Sequence, residues 1–260
     1  MTSAATKVVS FNLNGIRATL GKGLAEWIRA ENADIYCFQE TKIDDSLVEK
    51  LRAEFPDYHA HFHCATRKGY SGVAILSKDK PLEVRSGCGH ADYDAEGRCI
   101  RADWDGISLI NSYYPSGSAG SERQVIKEAF LDYMYDWLGP QLESRPELLH
   151  VGDFNICHQE IDIHHPERHK GVSGFLPHER EWMTKLIAAG WADTFRQYDS
   201  TPDKYSWWSY RSGAKSKNLG WRIDYQLAGK ALQGRLISAS LRPEVVMSDH
   251  CPTVVEFNNQ

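Results

Sequence analysis

The sequence has no long apolar run. No uninterrupted hydrophobic stretch approaches the roughly 18 residues of a membrane helix, so none is expected. The leading segment Met1-Thr2-Ser3-Ala4-Ala5-Thr6-Lys7 lacks the apolar core of a secretory signal. Cysteine is sparse: Cys37, Cys64, Cys88, Cys99, Cys157 and Cys251, with no CxxC and no short Cys/His spacing. That excludes a zinc finger and a small disulfide scaffold. In Tyr36-Cys37-Phe38 the thiol reads as a small core hydrophobe in a reducing, cytoplasmic compartment. No repeat, low-complexity tract or Pro/Gly/Ser-rich linker divides the chain, so residues 1–260 are expected to form a single domain. A positive balance is missing too: 30 basic against 35 acidic residues leave a formal net charge of −5. Phosphate backbones attract Lys and Arg, so that balance counts against a nucleic-acid binder. What is present, 42% hydrophobic and 25% charged residues, excludes a disordered chain.

Strand and helix periodicities alternate. Val8–Leu13, Ile35–Phe38, Val73–Leu76, Ile107–Ser112 and Leu148–Gly152 read as buried strands. Gly23–Ala30 carries Leu24, Trp27 and Ile28 at helical spacing, and Asp44–Phe55 reads as a helix capped by Asp44 or Asp45. Ser121-Glu122-Arg123-Gln124 has the form of a capping box for a long helix, with Val125, Ile126, Phe130, Met134, Trp137 and Leu138 inward. Pro177 opens a helix with Trp182, Leu186 and Ile187 inward, stopped by Gly190. Beyond it the chain is mainly β, in Tyr205–Ser209, Arg222–Ala228, Leu236–Leu241 and Pro252–Phe257. This is an α/β pattern.

The reactive polar residues fall where apolar strands stop. Glu40 follows Ile35–Gln39, Asp153 follows Leu148–Gly152, and Asp249 with His250 follows Val245–Ser248. Each alone suits a turn or cap. Three together, with Asn12-x-Asn14 and Asp153-x-Asn155, suggest hard oxygen ligands for Mg²⁺ or Mn²⁺ rather than zinc. His150 lies inside a strand and reads as a core histidine. His164-His165 lies in a polar loop with Arg168, His169 and Lys170, a solvated loop or a phosphate contact. Tyr205-Ser206-Trp207-Trp208-Ser209-Tyr210 precedes Arg211, Lys215 and Lys217, and Trp221 follows with no acidic residue between Lys204 and Arg222. Aromatics interleaved with bases suit a sugar or base pocket beside phosphate contacts. Trp208, next to Trp207, is expected on the opposite, core-facing side.

Five blocks occur in order: Phe11-Asn12-Leu13-Asn14-Gly15-Ile16-Arg17, Gln39-Glu40-Thr41-Lys42, Gly152-Asp153-Phe154-Asn155-Ile156, Gly220-Trp221-Arg222-Ile223-Asp224-Tyr225 and Ser248-Asp249-His250-Cys251-Pro252. Gly69–Ala74 and Tyr113-Tyr114-Pro115-Ser116-Gly117 lie between them. Each block alone is weakly specific. As an ordered set, spanning about Lys7 to Phe257, they resemble the exonuclease III family of apurinic/apyrimidinic (AP) endonucleases, within the DNase I-like superfamily.

The resemblance implies a four-layer α/β sandwich, two packed mixed β-sheets flanked by helices, with the site at one edge. It implies a Mg²⁺ (or Mn²⁺)-dependent DNA repair phosphodiesterase. The substrate would be double-stranded DNA, incised 5′ to abasic sites or trimmed at blocked 3′ ends. The enzyme would be a monomer, nucleoid-associated if bacterial. Glu40 would ligate the metal, with Asn12, Asn14 and Asp249 near it or its waters. Asp153 would orient or deprotonate water, Asn155 and Tyr113 would donate to the scissile phosphate, and His250 would face a phosphate oxygen with Asp224 behind it. Trp207, Trp221 and Ile223 would wall a pocket for a base-free sugar. Arg123, His169, Lys170, Arg211, Lys215 and Lys217 would contact DNA, in a basic rim to which Lys127, Lys204 and Arg222 also belong. Ser116, His169 and Val172 depart from the Asn that relatives carry there, so 3′-end cleaning is expected to rival abasic-site incision.

Other branches remain to be weighed. Phosphoinositide and sphingomyelin phosphodiesterases share the Asn, Glu, Asp-x-Asn and Asp-His set but not Gly220–Asp224 with its Trp-rich partner. A catalytically weak or inactive relative, acting as a nucleic-acid-binding regulator, shares Ser206-Trp207-Trp208 but lacks the catalytic set, which is intact here.

Overall fold

Strands buried on both faces read as continuous apolar runs, and Ile35–Gln39, Val73–Ser77 and Leu148–Asp153 are buried along their whole length. The computed structural model describes residues 4–259; Met1–Ser3, which begin the leading segment, and Gln260 lie outside the described residues. In chain order the elements are β1 (Ala5–Asn12), α1 (Ile16–Leu20), α2 (Leu24–Glu31), β2 (Ile35–Gln39), α3 (Val48–Arg52), β3 (His59–His63), β4 (Val73–Ser77), β5 (Glu83–Ser86), α4 (Ala91–Ala95), β6 (Cys99–Trp104) and β7 (Ile107–Tyr113). They continue with α5 (Ser121–Ser144), β8 (Leu148–Asp153), α6 (Pro177–Ala188), β9 (Ala192–Asp193), α7 (Thr194–Tyr198), β10 (Trp207–Trp208), β11 (Gly220–Trp221), β12 (Asp224–Ala228), α8 (Lys230–Gln233), β13 (Leu236–Leu241) and β14 (Thr253–Asn258).

The strands form two six-stranded sheets, ordered β13-β14-β1-β2-β4-β3 and β5-β6-β7-β8-β12-β9, and a two-stranded ribbon β10-β11. Each large sheet is mixed. Its one parallel pair, β1–β2 or β7–β8, is joined by helical crossovers, as parallel neighbours require. Alternation sorts the side chains. Val8, Ile35, Cys37, Val73 and Ile75 of the first sheet meet Ile100, Leu109, Leu149 and Val151 of the second. The opposite faces pack outward. Phe11, Tyr36 and Phe38 bury Leu24, Ile28 and Leu51, while Ile110, Leu148 and Leu227 bury Phe130, Met134, Trp182 and Leu186. The result is the expected four-layer sandwich.

One polar seam crosses the central core. Asn111 Nδ2 donates to the carbonyls of Phe38 (3.0 Å) and Ala74 (2.9 Å), and its oxygen accepts from Gln39 Nε2 at 2.7 Å. These bonds pin the second sheet to the end of β2, one residue before Glu40.

Some local expectations are corrected. Ser121 is the first residue of α5 rather than its cap, and the N-cap position, Gly120, offers no side-chain hydrogen bond. Gln124 instead gives its amide to Glu128 and Glu179. The buried face of α5 is Lys127, Phe130, Leu131, Met134 and Leu138, a run of i, i+3, i+4 spacings. Val125 and Ile126 are rotated off that face and exposed. Met183, rather than Ile187, completes the inner face of α6. The Asp44–Phe55 helix is shorter, a 3₁₀ turn at Asp45–Leu47 leading into α3, with the Asp44 carboxylate accepting the Ser46 N–H at 3.1 Å. Edge strands β3 and β5 and the charged strand β6 were not anticipated, since His59, His61, Arg101 and Asp103 interrupt their apolar pattern. No helix among the described residues is long and apolar enough to cross a membrane.

Candidate active site

Strand register gathers the polar strand ends. Asn12 pairs with Gln39, Tyr113 with Asp153, and Asp153 with Asp224. An isolated bridge between Trp207 and His250 brings in the loop before β14. Asn14, Glu40 and Asn155 adopt left-handed backbone, with φ of 48°, 51° and 52°. Asn tolerates that conformation, whereas for Glu it is uncommon and needs support from its surroundings. Here the Glu40 carbonyl accepts the Gly15 N–H at 2.8 Å, and the next residue, Thr41, donates to Gly72 O at 3.1 Å. Just before Asp153, a Cβ on Gly152 would lie 1.8 Å from the Ser112 carbonyl oxygen, so only glycine lets β8 approach β7 there.

The side chains form one network. Fully buried Asn12 donates through Nδ2 to Glu40 Oε1 (2.9 Å) and Asp153 Oδ2 (2.8 Å). Asn14 Nδ2 donates to Asp249 Oδ1 at 3.0 Å, and Trp207 Nε1 to Asp249 Oδ2 at 3.1 Å. His250 Nδ1 sits 2.9 Å from Asp224 Oδ2, and its Nε2 lies 3.8 Å from Asp153 Oδ2. Asp224 is held in turn by Ser206 Oγ at 2.6 Å. The Asp153 carboxylate also accepts the Asn155 N–H at 2.8 Å.

Burial pushes the Asp153 carboxyl up, with Asp224 and Glu40 adding to the rise and His250 opposing it. Burial works against charge on His250, but Asp224 and Asp153 outweigh it and raise its pKa. The site therefore favours a charged imidazole between two carboxyl groups. Burial, Glu40 and Asp153 raise the Tyr113 phenol, which stays a hydrogen-bond donor.

Ligand atoms of Glu40, Asp153 and His250 lie within 4.8 Å of one another. Carboxylate oxygens backed by the Asn12 amide fit an oxygen-seeking divalent cation, and the clustered group contains no thiol to favour a softer one. The network opens into a cavity of about 300 Å³ whose apolar wall is Trp207, Trp221 and Ile223. The two indoles stand edge to face, centroids 6.2 Å apart at 89°. Trp208 points the other way into the core, as alternation requires.

A family model described as Endonuclease/Exonuclease/phosphatase family matches residues 9–250. The chain belongs to this family. It is 39% identical over 97% of its length to an exodeoxyribonuclease from Bacillus subtilis (strain 168), covering 99% of that protein. An AP endonuclease from Archaeoglobus fulgidus superposes with a TM-score of 0.89 at 31% identity, over 97% of this chain and 99% of that one. A 3′ phosphatase from Neisseria bound to product DNA hairpin gives 0.89 at 27% identity, over 97% and 99%. Within the Endonuclease/Exonuclease/phosphatase family this chain is a hydrolase of the DNA repair nuclease kind. The regulator alternative is not favoured.

The residues expected to contact DNA have varied surroundings. Arg123 donates to the Tyr70 hydroxyl at 3.2 Å, and His169 stands edge-on to Trp221 at 5.1 Å. Lys170 is exposed and pairs with Glu167 at 2.8 Å. Arg211 and Lys217 are exposed beyond β10, whereas Lys215 lies 4.8 Å over the Trp208 ring. Lys127 and Arg222 are corrections to the basic rim: both are buried in ion pairs, with Glu179 and with Asp162 and Asp193. His150 is a core histidine, buried, its pKa driven down to about 3 by burial alone.

Four residues of the site region carried no sequence-based role. Lys42 donates to Asn14 Oδ1 and pairs with Glu40 Oε2 at 2.8 Å. Ser206 orients Asp224. Buried Arg98 donates to the Tyr113 carbonyl at 2.9 Å and to the Tyr70 hydroxyl at 3.0 Å. Tyr210, exposed beside the site, reaches Asn14. Lys42 and Ser206 sit inside quoted blocks, so a signal existed. Arg98 follows Gly97 in a charged stretch and had none.

Proposed function

We propose that this enzyme is a Mg²⁺-dependent phosphodiesterase acting on double-stranded DNA, incising 5′ to abasic sites and clearing blocked 3′ ends. One observation carries the reading: the Glu40–Asp153–His250 cluster opens directly into a small cavity with a Trp207, Trp221 and Ile223 wall. An apolar wall beside the acidic cluster suits a flipped base-free sugar. Mg²⁺ held by Glu40, with Asn12, Asn14 and Asp249 about it, would supply positive charge at the phosphate oxygens. Asp153 orients the attacking water and takes up its proton, a role its raised pKa suits. His250, kept charged by Asp224, faces a phosphate oxygen. Tyr113 and Asn155 donate to the same phosphate. Arg123, His169, Lys170, Arg211, Lys215 and Lys217 contact the duplex.

Two features favour 3′-end cleaning as a rival activity. Ser116 and Val172 line the cavity, which puts shorter or apolar side chains where an amide would hold an internal phosphate. The Neisseria relative named above is itself a 3′ phosphatase. We take the enzyme to act as a single-domain cytoplasmic monomer. The test is a substrate panel, with an internal abasic duplex and a 3′-phosphate nick, under divalent-metal titration. Metal-dependent cleavage at both supports the reading. Binding without cleavage at any metal concentration overturns it.

A further inference from the structure

Two residues behind the cavity are not among those that line it, yet they hold both of its walls. Lys127 of α5 and Glu179 of α6 are both completely buried and paired at 2.6 Å. Burying two charges is costly, and an apolar pair of similar volume serves a core at least as well. Core packing alone therefore does not account for them.

The contacts of each charge are specific. Lys127 Nζ also donates to the Asn155 backbone carbonyl at 2.8 Å. That residue carries the left-handed backbone after Asp153, and its own N–H donates to Asp153 Oδ1 at 2.8 Å. Glu179 Oε2 accepts the N–H of Gly174 at 2.6 Å and of Leu176 at 3.0 Å. The Leu176 contact is an ordinary helix cap, an N3 glutamate reaching back to its N-cap N–H. The Gly174 contact is not part of that cap. Gly174 has φ of 94°, and a Cβ there would lie 3.1 Å from the Trp221 ring. The Gly174 carbonyl in turn accepts the Cys157 N–H at 2.7 Å, closing a circuit back to the Asp153–Asn155 turn.

We infer that Lys127 and Glu179 are positioning residues: the ammonium holds the turn that carries Asp153 and Asn155, the carboxylate holds the segment backing Trp221, and their ion pair sets the spacing between the two. This rests on the phosphodiesterase reading of the site. A displacement of about 1 Å at a reacting centre, caused from a distance, can cost a hundredfold in rate.

The experiment compares the parent enzyme with Glu179→Gln, Lys127→Met and the double variant. Active molecules are counted by stoichiometric binding of an abasic-analogue duplex in EDTA, and kcat per active molecule is then measured with Mg²⁺. Each single variant is expected to lose about tenfold to a hundredfold in kcat per active molecule, with KM within about threefold. The double variant is expected to lose no more than the worse single, because the pair acts as one device. It also leaves no unpaired buried charge, so it decides the matter if the singles do not fold. Unchanged kcat per active molecule, with only thermal stability or the active fraction lowered, overturns the inference. A parent enzyme that cleaves neither test substrate overturns the functional reading itself, and the inference falls with it.

Discussion

Asp153 and His250 are where single atoms matter most. The imidazole is held between Asp224 at 2.9 Å and Asp153 at 3.8 Å, a geometry that one substitution dismantles. Removing one preorganised group of this kind costs about 3–4 kcal/mol of transition-state stabilisation. Asp153→Asn and His250→Ala are therefore expected to cut turnover about a hundredfold or more. Duplex affinity, measured by anisotropy without metal, should persist. Parallel losses of affinity and turnover would mark a folding defect instead. At this scale the sequence was informative. Glu40, Asp153, Asp224 and Asp249-His250 are recognisable as polar residues ending apolar strands. Arg98 was not: besides its neighbour Glu96 it bonds Tyr113 and Tyr70, 15 and 28 positions away, and no local pattern marks those contacts.

Helix α5 shows what an element decides. Its inner face is set by the sheet it covers, and Phe130 is fully buried while Val125 is exposed. Phe130→Ala should destabilise the protein by about 3–5 kcal/mol. Val125→Asp should change stability by no more than about 0.5 kcal/mol. Urea unfolding of both variants checks the assignment, and a large loss at Val125 would contradict it. Strand β8 gives a sharper case. Gly152→Ala forces a Cβ to within 1.8 Å of Ser112 O, so β8 and β7 must part next to Asp153. Both stability and turnover should fall. The helical period of α5 and the inward placement of Phe130, Met134 and Leu138 were legible in the sequence, but the inner face of its first turns was not. Val125 and Ile126 are as apolar as the residues that won, and only contact with the second sheet selects among them.

Across the molecule, charge is organised by burial. Arg222 bridges Asp162 and Asp193, while Arg196 also holds Asp162, tying the loop after β8 to β9, α7 and the segment before β12. Burial disfavours charge on Asp162, but Arg222 and Arg196 outweigh it and hold its pKa below the usual carboxylate range. A lowered folded-state pKa gives stability that is present above the unfolded value, about 3.9, and lost as pH falls through the folded one. Asp162→Asn should thus be less stable than the parent at neutral pH, and the gap should narrow below about pH 4. A gap that stays constant to pH 3 would contradict the assignment. The same sorting limits DNA binding. With Lys127 and Arg222 buried, and burial holding the His169 pKa below its usual value, the cationic rim shrinks to Arg123, Lys170, Lys204, Arg211, Lys215 and Lys217. Six contacts set a slope of log K against log salt no steeper than about −5. A markedly steeper slope would require contacts outside this rim.

The chemistry on offer and the class of fold were already readable along the chain. Residue type, order and placement at strand ends are local properties, and five ordered blocks carry them along the whole chain. The negative balance that first counted against nucleic acid is partly that same acidic set. Which groups meet and which are hidden depended on how the chain packs. Asn12 reaches Asp153 across 141 positions, and Ser206 reaches Asp224 only because β10 pairs with β11, the strand that leads into β12. Lys127 looks in sequence like Lys170, one more base near the site, yet one is sealed in the core and the other stands in solvent. Burial and pairing are properties of distance in space, and a linear pattern does not contain them.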